Sequence, residues 1–158
     1  DWPADNSSPL PNYGASSLFM EYLAQRFGGH STLKLLLQSK EDGINGVIEY
    51  LDNLGTSSSF YEVFRDWTIA NYLDPLGIEG FHYEGLTINL LPDNVVRDYG
   101  QLSSTLPQFS AEYIEMDFGQ KSSTISFQAS PTSSILPIHF AHDNHCWWGN
   151  KGDSIDSF

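Results

Sequence analysis

The sequence predicts an α+β fold, in which an N-terminal helical subdomain of about four helices precedes an antiparallel β-sheet that forms part of a sandwich. In the first half, apolar residues recur with the period of a helix, and from about residue 80 the period shifts toward two, which is typical of strands. Hydrophobic residues make up 40% of the chain and aromatic residues 14%, which is enough apolar surface for a packed core. We therefore expect a helical lobe over 1–78, a connector over 79–107 and the start of a β-domain over 108–158.

The first two predicted helices lie between residues 13 and 40. The first carries its apolar residues on one face and ends at Gly28 and Gly29, since glycine suits the left-handed conformation that closes many helices. Ser31 can cap a short second helix through "TLKLLLQSK". The apolar face of the first helix comprises Leu18, Phe19, Tyr22, Leu23 and Phe27.

The third and fourth predicted helices have the clearest boundaries. "GINGVIEYLDNLG" has an apolar stripe and stops at Gly55. Ser59 and Glu62 have the spacing of a capping box at the start of the fourth helix, and Pro75 closes it. One face of this helix carries Phe60, Val63, Phe64, Trp67 and Asn71, which we interpret as a core-facing stripe.

The second half has the pattern of short strands. Three β-like runs, "AEYIEMDF", "STISFQA" and "SILPIHFA", are separated by turn-forming residues. Three short strands are too few for a stable sandwich. We therefore expect the chain to be part of something larger, or a subunit that a partner completes.

The charge and composition restrict the partners and the location. The chain has 20 acidic and 7 basic residues, a net charge of −13, which disfavours nucleic acid and anionic membrane surfaces. No apolar run approaches the roughly 20 residues that span a bilayer. Scarce lysine and frequent serine, threonine, asparagine, tyrosine and tryptophan favour an extracellular or cell-surface protein, and Asn6 lies in a candidate N-glycosylation triplet.

Several stretches carry a resemblance to a known family. "YGASSLFMEYLAQRFGG", "VFRDWTIANYLDP" and "FHYEGL" resemble the C-terminal helical lobe of secreted bacterial zinc metallopeptidase-like proteins with a gluzincin-type domain. "AEYIEM" and "CWWGNKGDSIDS" resemble the β-domain that follows the catalytic domain in immune inhibitor A-like proteins, where the second motif is usually closer to W-W-S-N-R-G-D. Together these matches touch most of residues 13–158.

The resemblance implies a non-catalytic portion of a secreted metallopeptidase-like parent. Such peptidases need H-E-x-x-H, in which two histidines hold zinc and the glutamate activates water, and this sequence contains no such motif. The resemblance places zinc in an upstream segment, so we expect the present chain to be inactive alone, with the rest of the parent or a partner subunit as its partner. Tyr13 would lie near the family's cleft, although a tyrosine at a helix start is more often a packing residue. The alternative is an extracellular structural or interaction protein, in a surface assembly, that performs no catalysis.

The stretch "HFAHDNHCWWGN" holds three of the five histidines and the single cysteine. Because Pro137 favours an extended chain, His139 and His142 should point to opposite faces of a strand and share no metal, with the His142 face more buried. Cys146, beside Trp147 and Trp148, is interpreted as a small buried apolar residue.

The acidic loop that follows is the better candidate for a cation. It offers hard oxygen ligands of the kind that calcium prefers, but without the spacing of an EF-hand. The alternative is a solvated turn in which these side chains cap the backbone. The candidate calcium ligands are Asp143, Asn144, Asn150, Asp153 and Asp156.

Overall fold

The computed structural model describes residues 10–118, 124–128 and 135–139. Four α-helices precede two short strands among these residues, so the α+β prediction is confirmed in outline. A short 3₁₀ turn at His30–Thr32 precedes the second helix, and another at Asp74–Leu76 follows the fourth. The elements are α1 (Leu10–Arg26), α2 (Leu33–Gln38), α3 (Gly43–Asn53), α4 (Phe60–Leu73), β1 (Asn94–Val96) and β2 (Ile114–Met116).

The chain divides into two compact units. One comprises Asp1–Val95 with Gln101–Glu115, and the other comprises Val96–Gly100 with Met116–Phe158. All four helices lie in the first unit. No helix in the described part of the chain is both long and apolar enough to cross a membrane.

The caps of α3 and α4 form as their sequences predict. At α4, the Glu62 amide donates to the Ser59 hydroxyl over 3.3 Å, and the Ser59 amide donates to the Glu62 carboxylate over 2.8 Å. At α3, Gly55 adopts φ 68° and its N–H reaches the Asp52 carbonyl, while the Thr56 N–H reaches the Leu51 carbonyl. This pair of bonds is a Schellman motif, and it needs a left-handed residue at the glycine position.

The predicted cap at Ser31 is wrong. Residues His30–Thr32 form a 3₁₀ turn that leads into α2, whose N-cap Thr32 makes no side-chain capping bond. The Thr32 hydroxyl and N–H instead both donate to the Gly29 carbonyl. The turn therefore starts two residues earlier than the serine pattern indicates, because Gly29 supplies the acceptor.

The hydrophobic core lies among α1, α3 and α4. Leu23 and Tyr50 are completely buried, and the Tyr50 hydroxyl lies 2.9 Å from the Thr32 hydroxyl. Burying a large apolar side chain contributes about 1.5–3 kcal/mol, so these positions dominate the stability of the lobe. The buried cluster consists of Tyr22, Leu23, Val47, Tyr50, Leu51, Phe60, Val63, Ala70 and Tyr83.

The predicted antiparallel sheet is wrong in direction and extent. The Asp93 N–H donates to the Tyr113 carbonyl and the Asp117 N–H to the Val96 carbonyl, so the two strands advance in the same direction and are parallel. Residues 97–113 form a connection long enough to return the chain to the start of β1, as parallel pairing requires.

The two later β-like runs do not form strands in the parts that the structure describes. Residues 124–128 and 135–139 have no regular secondary structure. An alternating pattern records only which side chains could share a face, whereas a strand also needs a neighbour for its backbone hydrogen bonds. No antiparallel sandwich is present among the described residues.

Candidate functional site

The first compact unit contains a buried polar cluster that fixes residues 81–88 against α4 and the turn that follows it. We call it the Asp74 cluster and define it as Asn71, Asp74, Tyr83 and the backbone N–H of Ile88. The Asp74 carboxylate accepts hydrogen bonds from the backbone N–H groups of Tyr83 and Ile88, and the Tyr83 hydroxyl donates to the Asn71 side-chain carbonyl. Both Asn71 and Asp74 are buried, so these bonds offset the loss of their hydration.

A second set of bonds ties the same segment to α1. The Gln25 side chain donates to the Glu84 carbonyl over 3.0 Å and accepts from the Glu84 N–H over 2.8 Å. The Gln25 side-chain amide thus pairs with the Glu84 backbone in the way that a neighbouring strand would. The Tyr22 and Tyr83 rings meet edge to face at 6.3 Å, so α1 and residues 81–88 are joined by apolar contact as well.

Two tyrosines of this region, Tyr22 and Tyr83, have raised pKa values. Burial, with the Asp66 charge as a lesser cause, raises the pKa of Tyr22 to about 12. Burial is also the main cause that raises the pKa of Tyr83. Both phenols therefore keep their protons at neutral pH, and the region supplies no general base through them.

His82 has a defined tautomer at the edge of this region. Its Nδ1 lies 2.9 Å from the Ile78 carbonyl oxygen, which can only accept, so Nδ1 carries the proton in the neutral ring and Nε2 bears the lone pair. Within the described residues, however, no group of three or more histidine, cysteine, aspartate or glutamate side chains is arranged to hold a metal. The hydrogen bonds of this region hold residues 81–88 in place.

Some of the residues predicted to form a site lie within the described part of the chain, and others lie outside it. Tyr13 is exposed on α1, and His139 is exposed in a stretch without regular structure. Ile138, predicted to face the buried side, is also exposed. The positions outside the described residues are Asn6, Phe140, His142, Asp143, Asn144, His145, Cys146, Trp147, Trp148, Asn150, Asp153 and Asp156.

The Asp74 cluster is not among the features predicted from the sequence, although one residue indicates it. Asn71 lies on the apolar stripe of α4, and a polar residue at such a position requires a buried partner. Nothing in the sequence identifies that partner as Tyr83, or shows that Asp74 binds amides 9 and 14 residues further on.

Comparisons of the chain with protein-family models, with curated proteins and with solved structures found no match.

Proposed function

We propose that this chain is a non-catalytic portion of a secreted metallopeptidase-like protein whose full-length parent hydrolyses extracellular peptides. Such hydrolysis requires the zinc-binding H-E-x-x-H motif, which the sequence lacks. The proposal therefore assigns the zinc and the activated water to another segment of the parent. This chain would contribute a rigid helical lobe that supports them.

One observation carries the proposal. The three stretches that resemble the helical lobe of the peptidase family are separate in sequence, and they contact one another directly in the fold. Tyr22 and Gln25 of the first stretch contact Tyr83 and Glu84 of the third, and Asn71 of the second accepts the Tyr83 hydrogen bond. Such contacts are expected if the three stretches form one structural unit, as they would in the helical lobe that they resemble.

The decisive experiment extends the chain. The coding sequence before Asp1 should be determined, and two proteins should be purified: this chain and a longer one that includes the preceding segment. With zinc, the longer protein should cleave casein or a mixed peptide library in a chelator-sensitive manner, and the 158-residue chain should cleave neither. Chelator-sensitive cleavage by the short chain alone would refute the assignment of zinc to another segment.

The alternative is an extracellular structural or interaction protein without catalysis. It is favoured by the many large apolar side chains that are exposed after residue 89. The same flanking sequence separates the two functions: an intact H-E-x-x-H followed by a glutamate supports the peptidase, whereas degenerate ligands support the interaction protein. The exposed residues are Leu90, Leu91, Val95, Tyr99, Leu102, Leu106, Met116, Ile125, Phe127, Ile135, Leu136 and Ile138.

We propose calcium as the cation for the acidic loop that contains Asp143, Asp153 and Asp156, since the carboxylates there are hard oxygen ligands. Titration calorimetry of the full chain should detect calcium binding that Asp153→Asn weakens. Asp98→Asn removes the same charge from outside the loop and serves as the control. Equal calcium affinity of the two variants would contradict the proposed calcium site.

A further inference from the structure

A pocket of about 190 Å³ lies between the end of α3 and the start of α4. Its lining includes the apolar residues Ile48, Leu51, Phe60 and Tyr61, together with the exposed Asp52. A cavity of about 150 Å³ is large enough to hold benzene, so this pocket has room for a side chain with several carbon atoms.

The walls of the pocket present apolar surface to solvent. Ile48 is 41% exposed and Tyr61 is 72% exposed, although each lies beside buried core residues. The Tyr61 ring is supported by Phe109, whose ring centroid lies 5.9 Å away. Phe109 has φ 54°, an uncommon and costly conformation for a residue that is not glycine. The contacts of Phe109 with α4 thus hold a strained residue in the place where it supports the aromatic wall.

The electrostatics of the pocket favour a cation. Asp52 lies in the last turn of α3, where the helix dipole disfavours a carboxylate and where no basic residue compensates. No basic residue lines the pocket, and among the described residues no ion pair engages Asp52. The start of α4 contributes a positive dipole end at the same pocket, but the Glu62 carboxylate caps it by accepting from the Ser59 N–H.

We propose that this pocket binds a lysine or arginine side chain of a partner polypeptide. The aliphatic stem would lie along Ile48 and Leu51, while the charged head would meet the Asp52 carboxylate and the face of Tyr61. The net charge of −13 would draw a basic partner toward the chain over longer distances. This site is independent of any peptidase activity of a parent protein.

The test uses the full chain and side-chain mimics. We expect n-butylammonium and n-propylguanidinium to shift the backbone amide signals of residues 48–61 in ¹⁵N NMR titrations, and neutral 1-butanol to bind more weakly. Asp52→Asn should weaken the binding of both cations about two- to fivefold, the range for an exposed charge pair, and leave the binding of 1-butanol unchanged. Tyr61→Leu should weaken the cations by a smaller factor, because it keeps the apolar wall and removes the ring.

Controls separate this site from the general acidity of the chain. Glu79→Gln removes one exposed carboxylate that does not line the pocket, and it should leave binding of both cations unchanged. The proposal is overturned if 1-butanol binds as tightly as the cations, if Asp52→Asn has no more effect than Glu79→Gln, or if the cations shift amides elsewhere and leave residues 48–61 unaffected.

Discussion

The helical region up to residue 88 contains all the buried apolar residues of the described chain, whereas no described apolar residue after it is buried. In the first, Leu23 and Tyr50 have no exposed surface, whereas in the second Leu91 is 80% exposed and Leu136 is 66% exposed. The difference follows from how each kind of element satisfies its backbone. A helix forms its hydrogen bonds within itself and needs only one neighbour for its apolar face, whereas a strand needs partners on its edges before its faces can be covered.

The largest expected effect comes from truncating the same residue type in the two regions. Leu23→Ala should lower the free energy of unfolding by about 2–5 kcal/mol, because it leaves a cavity in a close-packed core. Leu91→Ala should change it by less than about 0.5 kcal/mol, because that side chain contacts mainly solvent. Urea unfolding followed by far-ultraviolet circular dichroism measures both values. Equal losses would mean that the two regions are packed alike.

The next effect tests whether the Asp74 cluster fixes the end of the helical region. Asp74→Ala removes the acceptor for two backbone N–H groups and should cost about 1–3 kcal/mol of stability. Hydrogen exchange at the Tyr83 and Ile88 amides should accelerate. The exposed Asp98 gives the control, since Asp98→Ala should leave both values unchanged. If exchange at these amides does not change in Asp74→Ala, the cluster does not hold the segment.

Some features of the fold could be predicted from the sequence, and others could not. The caps at Ser59 and Gly55 could be predicted because all the residues that form them lie within a few positions of one another. The bonds of Asp74, and the parallel pairing of β1 with β2, could not be predicted because they join residues across loops whose path is set by the whole fold. Asp52 and Tyr61 were missed for a similar reason: each belongs to an ordinary helical pattern, and only the packing of α3 beside α4 encloses a pocket between them.

A smaller effect is expected at alkaline pH. The pKa of Tyr22 is raised to about 12, from an ordinary value of 10.0, mainly by burial. A raised pKa in the folded state means that stability is fully present below pH 10 and declines as the pH rises toward 12. Tyr22→Phe should make this decline shallower between these two values, as measured by urea unfolding at several pH values. The exposed Tyr61 is the control, and an identical decline in Tyr22→Phe and Tyr61→Phe would contradict the assignment.

The smallest effect is expected at acid pH. Two hydrogen bonds lower the pKa of Glu21 below 4.5, and the bond from Gln25 has a larger effect than the bond from His30. A lowered pKa in the folded state gives stability that is present above the unfolded value and is lost as the pH falls through the folded one. Glu21→Gln should therefore reduce the slope of stability against pH below 4.5. The exposed Glu79 provides the comparison, since Glu79→Gln should leave that slope unchanged. An unchanged slope in Glu21→Gln would show that these hydrogen bonds do not persist in solution.

Hydrogen exchange measured by mass spectrometry along the full chain tests the contrast between the two regions most directly. We predict slow exchange in α3 and α4, whose backbone hydrogen bonds surround the core, and fast exchange over residues 97–108, which are exposed throughout and lie outside any helix or strand. Protection over residues 97–108 that equals the protection of α4 would contradict the account, because it would require covered backbone where the structure has none.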